Sequence, residues 1–154
     1  MAVRRLAGMT PNDGSTNRAG CIFCRIVAGK SPSTTIAETE RAIAFMDINP
    51  VTPGHALVVP RAHADDLFDI SVEDLAACAE LAQEIARRAK VRLGADGINL
   101  LNSNGKVAKQ SVFHFHIHVI PRYSKDPRKD TSGMPWQNTP ASRGDIRQIG
   151  QLLT

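Results

Sequence analysis

The chain has 154 residues and 42% apolar content, enough for one globular domain with a core of its own. No apolar run approaches the ~20 residues of a membrane helix, and the residues after Arg4-Arg5 are too few and too polar for a secretory leader. Three cysteines, an odd number with no export signal, argue against a disulfide scaffold and for a cytoplasmic protein; the net charge of +4 is scattered, with no nucleic-acid motif and no internal repeat.

Residues 1–19, rich in Pro, Gly, Asn, Asp, Ser and Thr, read as a disordered arm; 20–124 read as the folded domain and 125–154 as a tail. Cys21-Ile22-Phe23-Cys24 opens the domain, followed by a short helix near 25–29 that Gly29 stops. The Cys-x-x-Cys pair fits a redox motif, half of a zinc site, or two incidental thiols. Cys78 falls on a helix and reads as plain core. Residues 34–39 and 41–46 predict a β-hairpin turning near Glu40-Arg41. Asp47 closes that hairpin ahead of the breaker-rich Asn49-Pro50-Val51-Thr52-Pro53-Gly54. A carboxylate here either caps a turn or accepts from both hydroxyls of a ribose.

His55 starts a strand that Pro60 ends. Residues 64–70 read as a helical turn. Ser71, with Asp74 three residues on, then caps a long helix whose inner stripe is Leu75, Cys78, Ala82, Ile85 and Ala89, with Gly94 as its stop. Residues 98–102 predict a strand and 103–109 a loop whose amides could wrap a phosphate. Past Pro121 the chain turns loop-like; Trp136, the single tryptophan, could cover a core, line a nucleotide site or meet a second subunit, and 145–153 predict a short terminal helix.

Between loop and tail lies Gln110-Ser111-Val112-Phe113-His114-Phe115-His116-Ile117-His118-Val119-Ile120-Pro121. On an extended strand His114, His116 and His118 share one face, roughly 7 Å apart, and Phe113, Phe115, Ile117 and Val119 share the other. The bland alternative is a buried strand with a polar edge or a metal patch.

This segment resembles the His-φ-His-φ-His-φ-φ signature (φ apolar) of the histidine triad (HIT) superfamily of nucleotide hydrolases and transferases, in particular its zinc-containing bacterial branch related to nucleoside phosphoramidases. The resemblance covers about residues 21–122. It implies an α+β HIT fold: a five-stranded antiparallel sheet, one long and one or two short helices, and two subunits joined into a ten-stranded sheet. It implies zinc on Cys21, Cys24, His63 and His114, structural because a closed thiolate–imidazole set leaves no open position. His114 is then no free acid, and its backbone carbonyl is left to orient His116. The implied chemistry is attack by His116 on an α-phosphate, with no catalytic metal. His118 and His55 donate to the non-bridging oxygens, and Ser111 passes a proton to the leaving group. By the same resemblance Asp47 and Ile48 hold ribose and base, and Asn102, Lys109, Gln110 and Ser111 meet the phosphate. Lys109 stands where several relatives carry glycine. The implied substrate is a purine nucleoside phosphoramidate or adenylylated amine, with AMP as the bound product. The alternatives are a dinucleoside polyphosphate, or nucleotide binding without turnover.

Overall fold

The structure is a computed structural model that describes residues 18, 20–125 and 141–154. Most of the expected N-terminal arm, and Trp136 with its neighbours, lie outside the described residues. The elements in chain order are α1 (Ile22–Val27), β1 (Thr35–Glu38), β2 (Ala42–Met46), β3 (Ala56–Pro60), α2 (Val72–Arg92), β4 (Gly97–Leu101), a 3₁₀ turn (Lys106–Ala108), β5 (Ile117–Arg122) and α3 (Arg143–Leu153). The strands form one sheet in the order β1-β2-β3-β5-β4, every pair antiparallel. Five strands with long and short helices is the expected α+β arrangement. Among the described residues no helix is long and apolar enough to cross a membrane.

β2 and β3 are buried along their whole length because both faces of the sheet are covered. The two-residue period sorts their side chains. Ala42, Ala44, Met46, Ala56 and Val58 join the main core under α2, while Ile43, Phe45, Leu57 and Val59 meet Cys21, Phe23 and Cys24 of the α1 segment. Leu57 lies opposite His118 in the β3–β5 register, so His118 is on the α1 face. The functional site is therefore built under the smallest helix, away from the large core.

α2 starts where its sequence says. Ser71 Oγ accepts from the Asp74 N–H at 3.0 Å and its hydroxyl donates to Asp74 Oδ2 at 2.8 Å. Cys78, Leu81, Ala82, Ile85 and Ala89 are its buried stripe. Burial pushes the Cys78 thiol up to about 12, so it is an inert core residue. α1 begins one turn earlier than expected, with Cys21 at its N-cap. Residues 64–70 contain the expected helical turn, closed by the Ile70 N–H on the Asp66 carbonyl at 3.1 Å.

α3 spans slightly more than the expected terminal helix, capped by Ser142 Oγ on the Asp145 N–H at 3.1 Å. Ile146 and Leu153 enter the main core. Arg88 of α2 donates to the Leu153 carbonyl at 2.7 Å, a cation at a helix C-terminus. Gly150 is the contact point with the sheet: a Cβ there would sit 2.8 Å from Thr34 Cγ2 and 3.4 Å from Met46 Cγ. In an open helix Gly→Ala gains about 0.5–1 kcal/mol; here the overlap costs about 1–3 kcal/mol and wins. Gly150→Ala is expected to lose about 1 kcal/mol in urea unfolding at unchanged m.

Candidate active site

Two histidine clusters lie side by side on the α1 face. In the first, Cys21 Sγ and Cys24 Sγ each lie 3.5 Å from His114 Nδ1, and Cys24 Sγ lies 3.2 Å from His63 Nδ1. All four ligand atoms fall within 4.8 Å of one another. The far nitrogen of each ring is held from behind. His114 Nε2–H donates to the Pro60 carbonyl at 3.0 Å, and His63 Nε2–H donates to Asp65 Oδ1 at 2.9 Å. Each bond keeps a proton on Nε2 and turns the Nδ1 lone pair toward the sulfurs, the usual arrangement behind a metal-ligating imidazole. These four residues could hold a metal ion.

The second cluster is His116, His118 and His55. His116 Nδ1–H donates to the His114 carbonyl at 2.8 Å, which puts the ring's lone pair on Nε2. The ring meets Phe23 edge-on at a centroid distance of 5.4 Å and His118 at 4.9 Å. His55 Nδ1 accepts from the Val51 N–H at 3.1 Å, and His55 Nε2 lies 2.8 Å from His118 Nδ1. Asp47 Oδ2 stands 3.6 Å from His55 Nε2, while Asp47 Oδ1 accepts from the Asn49 N–H at 2.8 Å. The carboxylate thus caps its turn and also faces the histidines.

The three histidines do share a side, opposite Phe115, Ile117 and Val119 in the main core. The segment is not strand throughout, however: β5 begins only at Ile117. The Phe115 N–H goes to the Ala64 carbonyl at 2.7 Å and the His116 carbonyl accepts from Asn102 Nδ2 at 2.9 Å, so a loop and a side chain replace the ladder. The chain bends at 112–114, the His116 and His118 rings lie 4.9 Å apart instead of roughly 7 Å, and Phe113 is 37% exposed.

Asn102 and Gln110 sit beside the site with their amides engaged by protein. Asn102 Oδ1 accepts from Asn104 Nδ2 at 2.6 Å. Gln110 Nε2 donates to the Asp65 carbonyl at 2.6 Å and the Val112 carbonyl at 3.0 Å, and its Oε1 accepts from the Gly105 N–H at 2.7 Å. In this structure Gln110 shapes the loop instead of offering a donor outward. Lys109 and Ser111 are exposed, and Ile48 is 70% exposed. Lys109 is the one non-glycine residue with positive φ among those described, at 68°, which explains why glycine suits its place. Sequence reading missed Asp65, whose His-x-Asp spacing from His63 was the available signal, and Phe23. It also missed the Val51 amide and the Pro60 carbonyl, which no side chain announces. A cavity of about 390 Å³ between α3 and the 50–54 connection is lined by none of the histidines.

Burial holds these imidazoles neutral. It pulls His55 down to about 4, helped by repulsion from His116, and His118 to about 3, helped by His116 and His55. His116 is lowered by burial too, against the opposing pull of its bond to the His114 carbonyl and of Asp47. Unfolded, such rings take a proton near 6.5. Protons therefore favour the unfolded chain as pH falls from 6.5 toward 4, and stability is lost in that window but not above it. We expect about 1 kcal/mol lost per pH unit for each of the pair, read from urea unfolding between pH 7 and pH 5. The slope should shrink in His118→Asn.

The HIT domain model matches residues 28–125. The chain belongs to the HIT family. Among its HIT relatives, "Protein hit" of Bacillus subtilis is 42% identical over 117 residues, 76% of this chain and 79% of that one. Adenosine 5'-monophosphoramidase hnt1 of Schizosaccharomyces pombe is 37% identical over 135 residues, covering 87% of this chain and 96% of its own length. A Zn-bound histidine triad family protein from Mycobacterium smegmatis superposes with a TM-score of 0.75 at 39% identity, over 87% of this chain and 90% of that one. The five-stranded antiparallel sheet with its three helices is the HIT fold.

Proposed function

We propose that this HIT protein hydrolyses a nucleoside phosphoramidate or adenylylated amine at the α-phosphate, through a nucleotidyl intermediate on His116. The carrying observation is the 2.8 Å bond from His116 Nδ1 to the His114 carbonyl, which leaves the Nε2 lone pair as nucleophile. Nε2 bonds to phosphorus as the P–N bond to the amine breaks. The amine takes a proton relayed from solvent through the exposed Ser111 hydroxyl and departs. Water then attacks phosphorus and returns a proton to solvent, releasing the mononucleotide and restoring the imidazole. His118 donates from Nε2 to the non-bridging oxygens, where charge persists throughout transfer. Asp47 and Ile48 receive ribose and base, and the Lys109–Ser111 turn receives the phosphate. Asn102 and Gln110 fix that turn and the His116 backbone. The fission-yeast relative's name, at 37% identity, supports an amine as leaving group.

Zinc on Cys21, Cys24, His63 and His114 is part of this reading. A tetrahedron with Zn–S ≈ 2.3 Å and Zn–N ≈ 2.0–2.1 Å has S···N edges of about 3.6 Å; the observed edges are 3.2–3.5 Å. Bound there, zinc supplies cross-linking and no chemistry. No disulfide joins the described cysteines, which is compatible with the proposed cytoplasmic location. β1 and β4 each have a single neighbour in the sheet, and pairing of one such edge with its copy would give the ten-stranded homodimer.

The test is intact-mass spectrometry of the protein mixed with an adenosine phosphoramidate. A nucleotidyl adduct mapped to His116 is the expected result; an adduct elsewhere, or turnover with no adduct in rapid quench, overturns the mechanism. Comparing kcat/KM with that for a dinucleoside polyphosphate fixes the leaving group.

A further inference from the structure

The contacts of His55 assign proton positions along a short relay. A backbone amide only donates, so the Val51 N–H at 3.1 Å makes His55 Nδ1 an acceptor and places the ring proton on Nε2. Nε2 lies 2.8 Å from His118 Nδ1, which must then accept, and His118 carries its own proton on Nε2. The opposite direction, His118 Nδ1–H into His55 Nε2, would put a proton on His55 Nδ1 and set it head-on against the Val51 N–H. A doubly protonated His55 meets the same conflict. Asp47 Oδ2 at 3.6 Å from His55 Nε2 is too far to draw that proton away from His118. His55 itself is 1% exposed, with both ring nitrogens engaged inside the protein.

We propose that His55 is a positioning residue that acts through His118: it receives its tautomer from the Val51 amide and passes it on, so that the group facing the phosphate is a neutral Nε2–H donor. This rests on the α-phosphate reading above and replaces the expectation that His55 touches the phosphate. The same relay works against metal binding by Asp47, His55 and His118, whose ligating atoms lie within 4.8 Å, because the His55 nitrogen nearest Asp47 is the one bearing the proton. A neutral donor also holds substrate and product oxygens alike without the added pull of a cation, which would bind both more tightly and speed neither step.

H55Q and H55N separate this from a merely structural role. Glutamine sets an amide N–H where Nε2 was and keeps the donor to His118. Asparagine sets an acceptor where Nδ1 was and reaches no further. In the full-length protein labelled with ¹⁵N-histidine, wild type and H55Q are expected to show His118 protonated at Nε2, and H55N a mixture of tautomers. With a nucleoside phosphoramidate, kcat should stay within about threefold in H55Q and fall about ten- to a hundredfold in H55N, KM moving less than about threefold in both. His118 protonated at Nδ1 in the wild type overturns the proposal, as does an H55N protein with unchanged tautomer and kcat, or an H55Q protein as impaired as H55N. The tautomer is read without substrate, so absence of phosphoramidase activity in the wild type would sink the functional reading alone.

Discussion

His116→Gly is expected to lower kcat by about 10⁴-fold or more while leaving nucleotide affinity within a few-fold. In the proposed mechanism the imidazole is nucleophile and then leaving group of the intermediate, and a missing nucleophile cannot be offset by binding. The neighbouring rings do not replace it: in the proposed tautomer His118 presents a protonated nitrogen, and the His114 ring faces the sulfurs. The substitution removes one bond to the His114 carbonyl and a 3%-exposed ring, a loss of about 1–3 kcal/mol that a domain of this size survives. Turnover read by amine release and AMP affinity read by calorimetry should therefore part company. Activity within tenfold of wild type would remove His116 from the role of nucleophile.

The Cys21, Cys24, His63 and His114 cluster carries the second large effect. Cys24→Ser is expected to abolish zinc retention in native mass spectrometry and to lower stability by about 3–5 kcal/mol, or roughly 10 °C in Tm. Cys24 bridges both histidines, at 3.2 Å from His63 and 3.5 Å from His114, so its loss frees both ends of the site. A chelator applied to the wild type should produce the same shift, reversed by zinc. The reaction should slow as well, because the His114 ring is a proposed zinc ligand while its carbonyl accepts from His116 Nδ1. A purely redox pair would instead respond to reductant and ignore the chelator. Equal Tm values with and without zinc would reduce the cluster to incidental thiols.

Much of this was legible from residue types and spacing. Ser71 with Asp74, the stripe from Cys78 to Ala89, and the alternation around His116 announced a helix start, a buried face and a one-sided triad, because each pattern is carried by side chains local in sequence. The metal set needed the family resemblance, since His63 and His114 lie 39 and 90 residues from Cys24 and no local period connects them. What escaped was set by backbone groups. The break in the ladder before Ile117 goes with an Ala64 carbonyl, and the engaged amide of Gln110 with the carbonyls of Asp65 and Val112. The docking of α3 depends on the missing side chain of Gly150 and on Arg88 of a distant helix. None of these partners has a residue-type signature.

The Val51 amide has a consequence for how such sites respond to sequence change. Every amino acid except proline supplies the same N–H, so the instruction that sets the imidazole protons is shielded from drift at position 51. A deep mutational survey would score residue 51, at 1% exposure, as a packing position sensitive to volume. It would leave its electrostatic office invisible, because the genetic code offers only one substitution that deletes it.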